Sequence, residues 1–202
     1  MKIYLVRHGQ SLGQGAGQGR RGGDTGLSPL GHSQAGHLAR WLAGDGRLDG
    51  DTSLTVGSLV ASPLTQARET AEHLRASLSL PTDVQPTLAE ADFAVPSELP
   101  SSSAPFTKRR GTLLSERYLD FRSQARTALV ELTRRAEESG RPVLAVAHGG
   151  LISTVVRAVA ESDTFCLKLY HCGITALEWS DGRWRLAHVN LWDHLPVPLR
   201  TT

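Results

Sequence analysis

The first apolar run, Ile3-Tyr4-Leu5-Val6, is short and unbroken. Such a run, bounded by polar residues, predicts a buried strand over 2–6. Residues 9–26 hold eight glycines and no apolar period, so they are loop. Ser28-Pro29 then reads as a helix start, with Ser as N-cap and Pro at the first helical position. Leu30, Leu38, Trp41 and Leu42 supply that helix with an apolar face, and it should stop near Gly44. Residues 58–61 (SLVA) predict a short strand. Residues 63–78 predict a helix, with Leu64, Ala67, Ala71, Leu74 and Leu78 on one stripe.

A further strand is expected at 84–88, restricted to an edge because Pro86 has no ladder donor. Residues 96–112 are rich in Ser and Pro and read as an irregular excursion. A long helix is predicted at about 115–139, on the spacing of Tyr118, Phe121, Ala125, Leu129, Leu132 and Ala136. PVLAVA (142–147) is the clearest buried strand, and a helix follows at about 149–161. Strands at 174–180 and 183–190 flank Asp181-Gly182, a strong hairpin signal. Strands alternating with helices imply an α/β sandwich, with a mostly parallel central sheet and an antiparallel edge. No internal repeat is present.

Composition narrows the class without choosing it. At 202 residues the chain is long enough for one domain with a sizeable core, and no Pro/Ser-rich linker divides it into two foldable halves. One domain over 1–202 is the expectation, with the excursion at about 94–114. A net charge of +2 is too small to imply nucleic acid or an anionic membrane as partner. Two cysteines, Cys166 and Cys172, make no disulfide framework. No window approaches a membrane span, and four apolar residues near the start are too few for a signal segment. The expected location is the cytoplasm.

Candidate chemistry collects at one kind of position. Arg7-His8-Gly9 follows the first strand and Ser62 the second. Glu90 follows the third, and His148-Gly149-Gly150 follows the strand at 142–147. In open α/β sheets the ligand crevice lies at the carboxyl ends of the strands. Any one of these residues is ordinary: a loop histidine, a surface arginine, a capping acid. Two strand-terminal His-Gly corners together are not, and glycine after each His permits a sharp turn and close ligand approach. The set suits phosphoryl transfer. Neutral imidazole is a nucleophile at neutral pH, a guanidinium can hold equatorial phosphate oxygens, and a carboxylic acid can protonate a leaving oxygen.

These motifs resemble those of the histidine phosphatase superfamily, the phosphoglycerate-mutase-like group, along nearly the whole chain. VRHGQS (6–11) resembles the signature of the nucleophilic His. DTGLSPLGHSQA (24–35), ASPLTQARETAEHL (61–74), LAEADF (88–93) and VAHGG (146–150) are similar to the segments that follow. CGITALEW and VNLWDHL resemble the closing strands. The resemblance implies a three-layer α/β/α fold, no metal, no cofactor and a phosphohistidine intermediate. It implies His8 as nucleophile, Arg7 and His148 as catalytic phosphate ligands and Glu90 as proton donor. Gln14, Gln66 and Gly149 complete the expected phosphate site. Gln66 stands where the family usually has Arg, and Gln14 where it often has Asn. The stretch after Glu90 departs from the family at Ala94-Val95-Pro96.

The expected activity is therefore hydrolysis of small phosphorylated metabolites. A phosphoglycerate mutase and a catalytically weak phosphate-binding regulator of the same fold are the alternatives. The excursion, poor in large apolar residues, is unsuited to sealing the site against water, which favours hydrolysis over mutation. Lys108-Arg109-Arg110 within it would suit an acidic metabolite or, equally, form a solvated basic loop. Other motifs fail on context. Gly17 to Gly22 matches G-x-G-x-x-G but neither follows a strand directly nor opens a helix. No P-loop exists, no G-x-S-x-G follows His148-Gly149-Gly150, and no H-E-x-x-H or Cys/His pair has metal-ligand spacing.

Overall fold

A computed structural model describes residues 1–14, 23–44, 56–102, 104 and 113–202. The G-x-G-x-x-G match and Lys108-Arg109-Arg110 lie outside the described residues. The elements in chain order are β1 (Lys2–Arg7), α1 (Pro29–Ala43), β2 (Ser58–Ala61), α2 (Thr65–Leu78) and β3 (Thr82–Val84). They continue with α3 (Glu116–Ser139), β4 (Val143–Ala147), α4 (Gly149–Ala160), β5 (Ile174–Ser180) and β6 (Arg183–Leu191).

The six strands form one sheet in the order β3-β2-β4-β1-β5-β6. Strands β3, β2, β4 and β1 run parallel, and β5 and β6 complete an antiparallel edge. The period of two along β1 explains why its central run, Ile3 to Val6, is apolar throughout. Ile3 and Leu5 of β1 pack with Tyr118, Phe121 and Leu132 of α3 and Ile152 of α4. Tyr4 and Val6 point the other way, into Leu38 and Leu42 of α1 and Leu74 of α2. Both faces are covered, so both alternate positions are apolar. This is a three-layer α/β/α sandwich.

Local signals set the element ends. Ser28 caps α1, its hydroxyl accepting from the Gly31 N–H at 3.0 Å, with Pro29 opening the helix. Ser115 caps α3, and Gly140 ends it with φ 63°. Asp181 and Gly182 have φ of 53° and 72°, the left-handed pair that a tight hairpin turn requires.

Two expectations need correcting. The strand expected at 84–88 lies earlier, at Thr82–Val84, and Pro86–Leu88 is a 3-10 turn. Pro86 cannot donate to β2, so pairing stops before it. The excursion is not irregular throughout. Val95–Glu98 forms another 3-10 turn, with Val95 and Leu99 buried against the core under β1. Among the described residues no helix is long and apolar enough to cross a membrane.

Candidate active site

The parallel strands bring their carboxyl ends to one edge of the sheet, and short backbone bonds lock the corners there. The His8 N–H donates to the Ala147 carbonyl at 3.0 Å, and the Ser62 N–H to the Val146 carbonyl at 2.9 Å. The ends of β1, β2 and β4 are thereby fixed against one another. The imidazole centroids of His8 and His148 lie 4.9 Å apart. A cavity of about 530 Å³ opens over them, and Arg7, Gln14, Gln66, Glu90 and Gly149 line it with them. Every site residue expected from the sequence thus borders one space.

His8 Nδ1 lies 2.7 Å from the Gly9 carbonyl oxygen. A carbonyl only accepts, so Nδ1 carries the proton and Nε2 keeps its lone pair. Burial pushes the His8 pKa well below the ordinary imidazole value, and His148, Arg7 and His171 push it the same way. The ring is therefore neutral at pH 7. His148 meets the Ser62 hydroxyl through Nε2 at 2.7 Å. Its pKa is lowered to about 3, by burial first and by Arg7 second, with Asp24 opposing.

Arg7 donates from Nη1 to the Leu169 carbonyl at 2.5 Å. Its Nε is buried and, among the described residues, has no partner, which makes it a donor held ready for an anion. Burial lowers its pKa to about 10 against the attraction of Glu90, and it remains a cation.

Glu90 does not sit at a strand end, as expected. β3 stops six residues earlier, and the 3-10 turn carries the chain round to deliver the carboxylate to the first turn of α4. There it accepts from the Gly150 N–H at 2.8 Å and from the Ala91 N–H at 3.1 Å. Burial raises the Glu90 pKa; the amides of Gly150, Ala91 and Leu151 and the charge of Arg7 oppose it. A buried carboxyl with a raised pKa is a proton source.

Gly9 and Gly150 serve close approach to the protein, while Gly149, directly after His148, lines the cavity. A Cβ at Gly9 would lie 2.6 Å from the Gly31 carbonyl oxygen, and one at Gly150 would lie 2.4 Å from Glu90 Oε1. Gln66 lies on α2 with its Oε1 buried and, among the described residues, unpartnered. Arg68, two residues on, is exposed and does not line the cavity, so it does not stand in for the missing Arg.

Sequence reasoning missed His171, which is buried with its ring centroid 5.8 Å from that of His8. A signal existed. β5 runs antiparallel to β1, so the residues before β5, not after it, reach the active edge. It also missed the apolar far wall, where Phe93, Val95, Leu167 and Leu169 face the cavity together with Arg157. Phe93 closes the LAEADF segment and Arg157 lies within α4, while Val95, Leu167 and Leu169 come from segments that carry no motif. Among the described residues no group of three or more His, Cys, Asp or Glu is arranged to hold a metal ion.

An α/β/α sandwich with paired histidines, a guanidinium and a buried carboxyl around one cavity at the sheet edge narrows the class, and comparison with known families names it. The model of the histidine phosphatase superfamily (branch 1) matches residues 3–191, and the chain belongs to that superfamily. Among solved structures it is similar to Bacillus stearothermophilus YhfR, at 23% identity over 96% of this chain and 98% of that one, with a TM-score of 0.72. It is similar to a mycobacterial glucosyl-3-phosphoglycerate phosphatase at 27% identity, covering 94% of this chain and 98% of that one, TM-score 0.64. It shares its fold with a phosphoglycerate mutase from Bacillus anthracis, at 18% identity over 96% and 94% of the two chains, TM-score 0.71. No curated protein matches the chain.

Proposed function

We propose that this protein is a phosphatase that hydrolyses small phosphate monoesters in two steps, through a phosphohistidine on His8. In the first step the Nε2 lone pair of His8 attacks phosphorus and the bond to the leaving oxygen breaks. Glu90 gives its proton to that oxygen, and an alcohol departs. The positive charge that develops on the imidazole is shared with the Gly9 carbonyl through Nδ1–H. In the second step water attacks phosphorus, the P–N bond breaks, and the electron pair returns to Nε2. Glu90, now a carboxylate, takes the water proton. Arg7, His148, Gln14, Gln66 and the Gly149 backbone hold the phosphoryl oxygens, which carry the charge in both steps.

The observation that carries this reading is the state of His8. Its Nδ1–H is tied to the Gly9 carbonyl, its charge is suppressed by burial, and its free Nε2 belongs to a cavity that also holds a guanidinium and a buried carboxyl. Family membership and a phosphatase among the structural neighbours support the same reading.

Trapping the intermediate tests it. Brief incubation with labelled substrate should leave acid-labile, base-stable label on the protein, and His8→Ala should abolish both label and turnover. Label that persists in His8→Ala, or that sits on Ser or Cys, sinks the mechanism.

A further inference from the structure

Gln14 has to present an N–H donor, not its carbonyl oxygen, if it is to hold a phosphate; an amide can turn either way. The surrounding hydrogen bonds decide which. The Ser11 backbone N–H, which only donates, meets one end of the Gln14 amide at 3.3 Å, so that end is Oε1. The Ser11 hydroxyl donates to the same oxygen at 3.1 Å. His171 Nε2 approaches it at 2.9 Å and must therefore be the protonated nitrogen. His171 Nδ1 then has a lone pair, which accepts from the Thr201 hydroxyl at 2.9 Å. That hydroxyl accepts in turn from Gln34 Nε2 at 2.8 Å.

The orientation of Gln34 is fixed by the backbone as well. Its Oε1 accepts the Gln10 N–H at 2.8 Å, and its Nε2 donates to the Leu199 carbonyl at 2.7 Å. A single direction of donation thus runs from Gln34 through Thr201 and His171 to Gln14, with backbone groups setting it at both ends. Gln34 and His171 are fully buried. Among the described residues the Gln14 Nε2 donors have no partner, and Gln14 lines the cavity.

We propose that His171, Thr201 and Gln34 are positioning residues that hold the Gln14 amide with its two N–H donors turned to the phosphoryl group. The inference rests on the proposed reading of the cavity as a phosphate site. The relay requires a neutral His171, because an imidazolium would have no lone pair for Thr201. Burial, with Arg7 adding to it, lowers the His171 pKa to about 3, so the relay stays intact across neutral pH. None of the three residues needs to touch substrate. They act through one amide, and removing them should matter only while that amide is present.

The test is a double-mutant cycle read on inorganic phosphate binding, an equilibrium that needs no turnover. His171→Phe keeps the ring and removes both nitrogens. It should weaken phosphate binding roughly 2- to 10-fold, the range of one neutral hydrogen bond, and raise substrate KM more than it lowers kcat. Gln14→Ala should weaken binding by a similar factor. Adding His171→Phe to Gln14→Ala should cost nothing further. If His171→Phe proves unfolded, Thr201→Val serves instead, with a smaller loss in the same direction. An equal loss in both backgrounds, or no loss in either, overturns the relay and leaves the phosphate site standing. Wild-type protein that binds no phosphate overturns the site reading and the relay with it.

Discussion

The two His-Gly corners look alike in sequence and are built differently. At the first, His8 is tied to the backbone of its own loop, and the space beside Gly9 is filled by the Gly31 carbonyl of α1. At the second, His148 leads directly into α4, and the space beside Gly150 is filled by the Glu90 carboxylate. One corner is braced by backbone and the other by a side chain that can donate a proton. In the mechanism proposed above, the first corner would make the bond to phosphorus and the second would handle the leaving-group proton.

The largest expected effect isolates that proton. Glu90→Gln keeps an oxygen for the Gly150 N–H but has no acid to give. General acid catalysis supplies roughly 10²–10⁴-fold. Hydrolysis of alkyl phosphates should fall by that order, while esters of acidic phenols, which leave without a proton, should lose much less. The pH profile carries the same signature. Glu90 must be protonated, and burial raises its pKa. Activity on alkyl phosphates should therefore fall as pH rises through that raised value, and Glu90→Gln should abolish this limb. Protonation of His8 does not compete nearby, because its pKa is pushed well below the usual imidazole value. Equal losses for both substrate types, or a basic limb retained in Glu90→Gln, would exclude the role.

The next effect separates the two braces. In Gly150→Ala the new methyl meets the end of a side chain, so Glu90 can move and the fold survives. A displacement of about 1 Å at a catalytic group costs roughly 10²-fold, and activity should fall by that order with little change in stability. In Gly9→Ala the methyl meets backbone of α1, which cannot step aside. Overpacking of this kind costs about 1–3 kcal/mol, and denaturant unfolding should report the loss directly. If Gly9→Ala is as stable as wild type, or Gly150→Ala as active, the contrast between the corners is wrong.

What the sequence made legible follows from what kind of force sets each feature. The runs at 3–6 and 143–147 stood out because burial on both faces makes them apolar at every position. The caps at Ser28 and the Asp181-Gly182 turn were legible because one residue's backbone preference decides them. β3 was misplaced because a three-residue edge strand is held mainly by its pairing with β2, a contact far away in sequence. At the site, motif-bearing corners located His8 and His148. His171 was invisible because its place depends on β5 running antiparallel, and Leu167 and Leu169 because their role is only to fill a wall.

The smallest effect concerns the side of the phosphate site that neither corner supplies. α2 contributes Gln66, where the superfamily pattern has an arginine, and Arg68 does not take its place. Gln66 carries a buried oxygen with no partner among the described residues, which a phosphate cannot satisfy, since both are acceptors. Gln66→Arg removes that orphan and adds a charged donor. A charge-assisted bond is worth about 1.5–3 kcal/mol against about 0.5–1.5 for a neutral one. The difference is about 1 kcal/mol, part of which is offset by repulsion from Arg7 across the same cavity. Inhibition by inorganic phosphate or vanadate should tighten several-fold, up to about tenfold. Turnover should gain less, because a tighter grip on phosphate also slows product release. Unchanged inhibition would mean that Gln66 does not face the phosphoryl group and that the two corners, with Gln14, bind it alone.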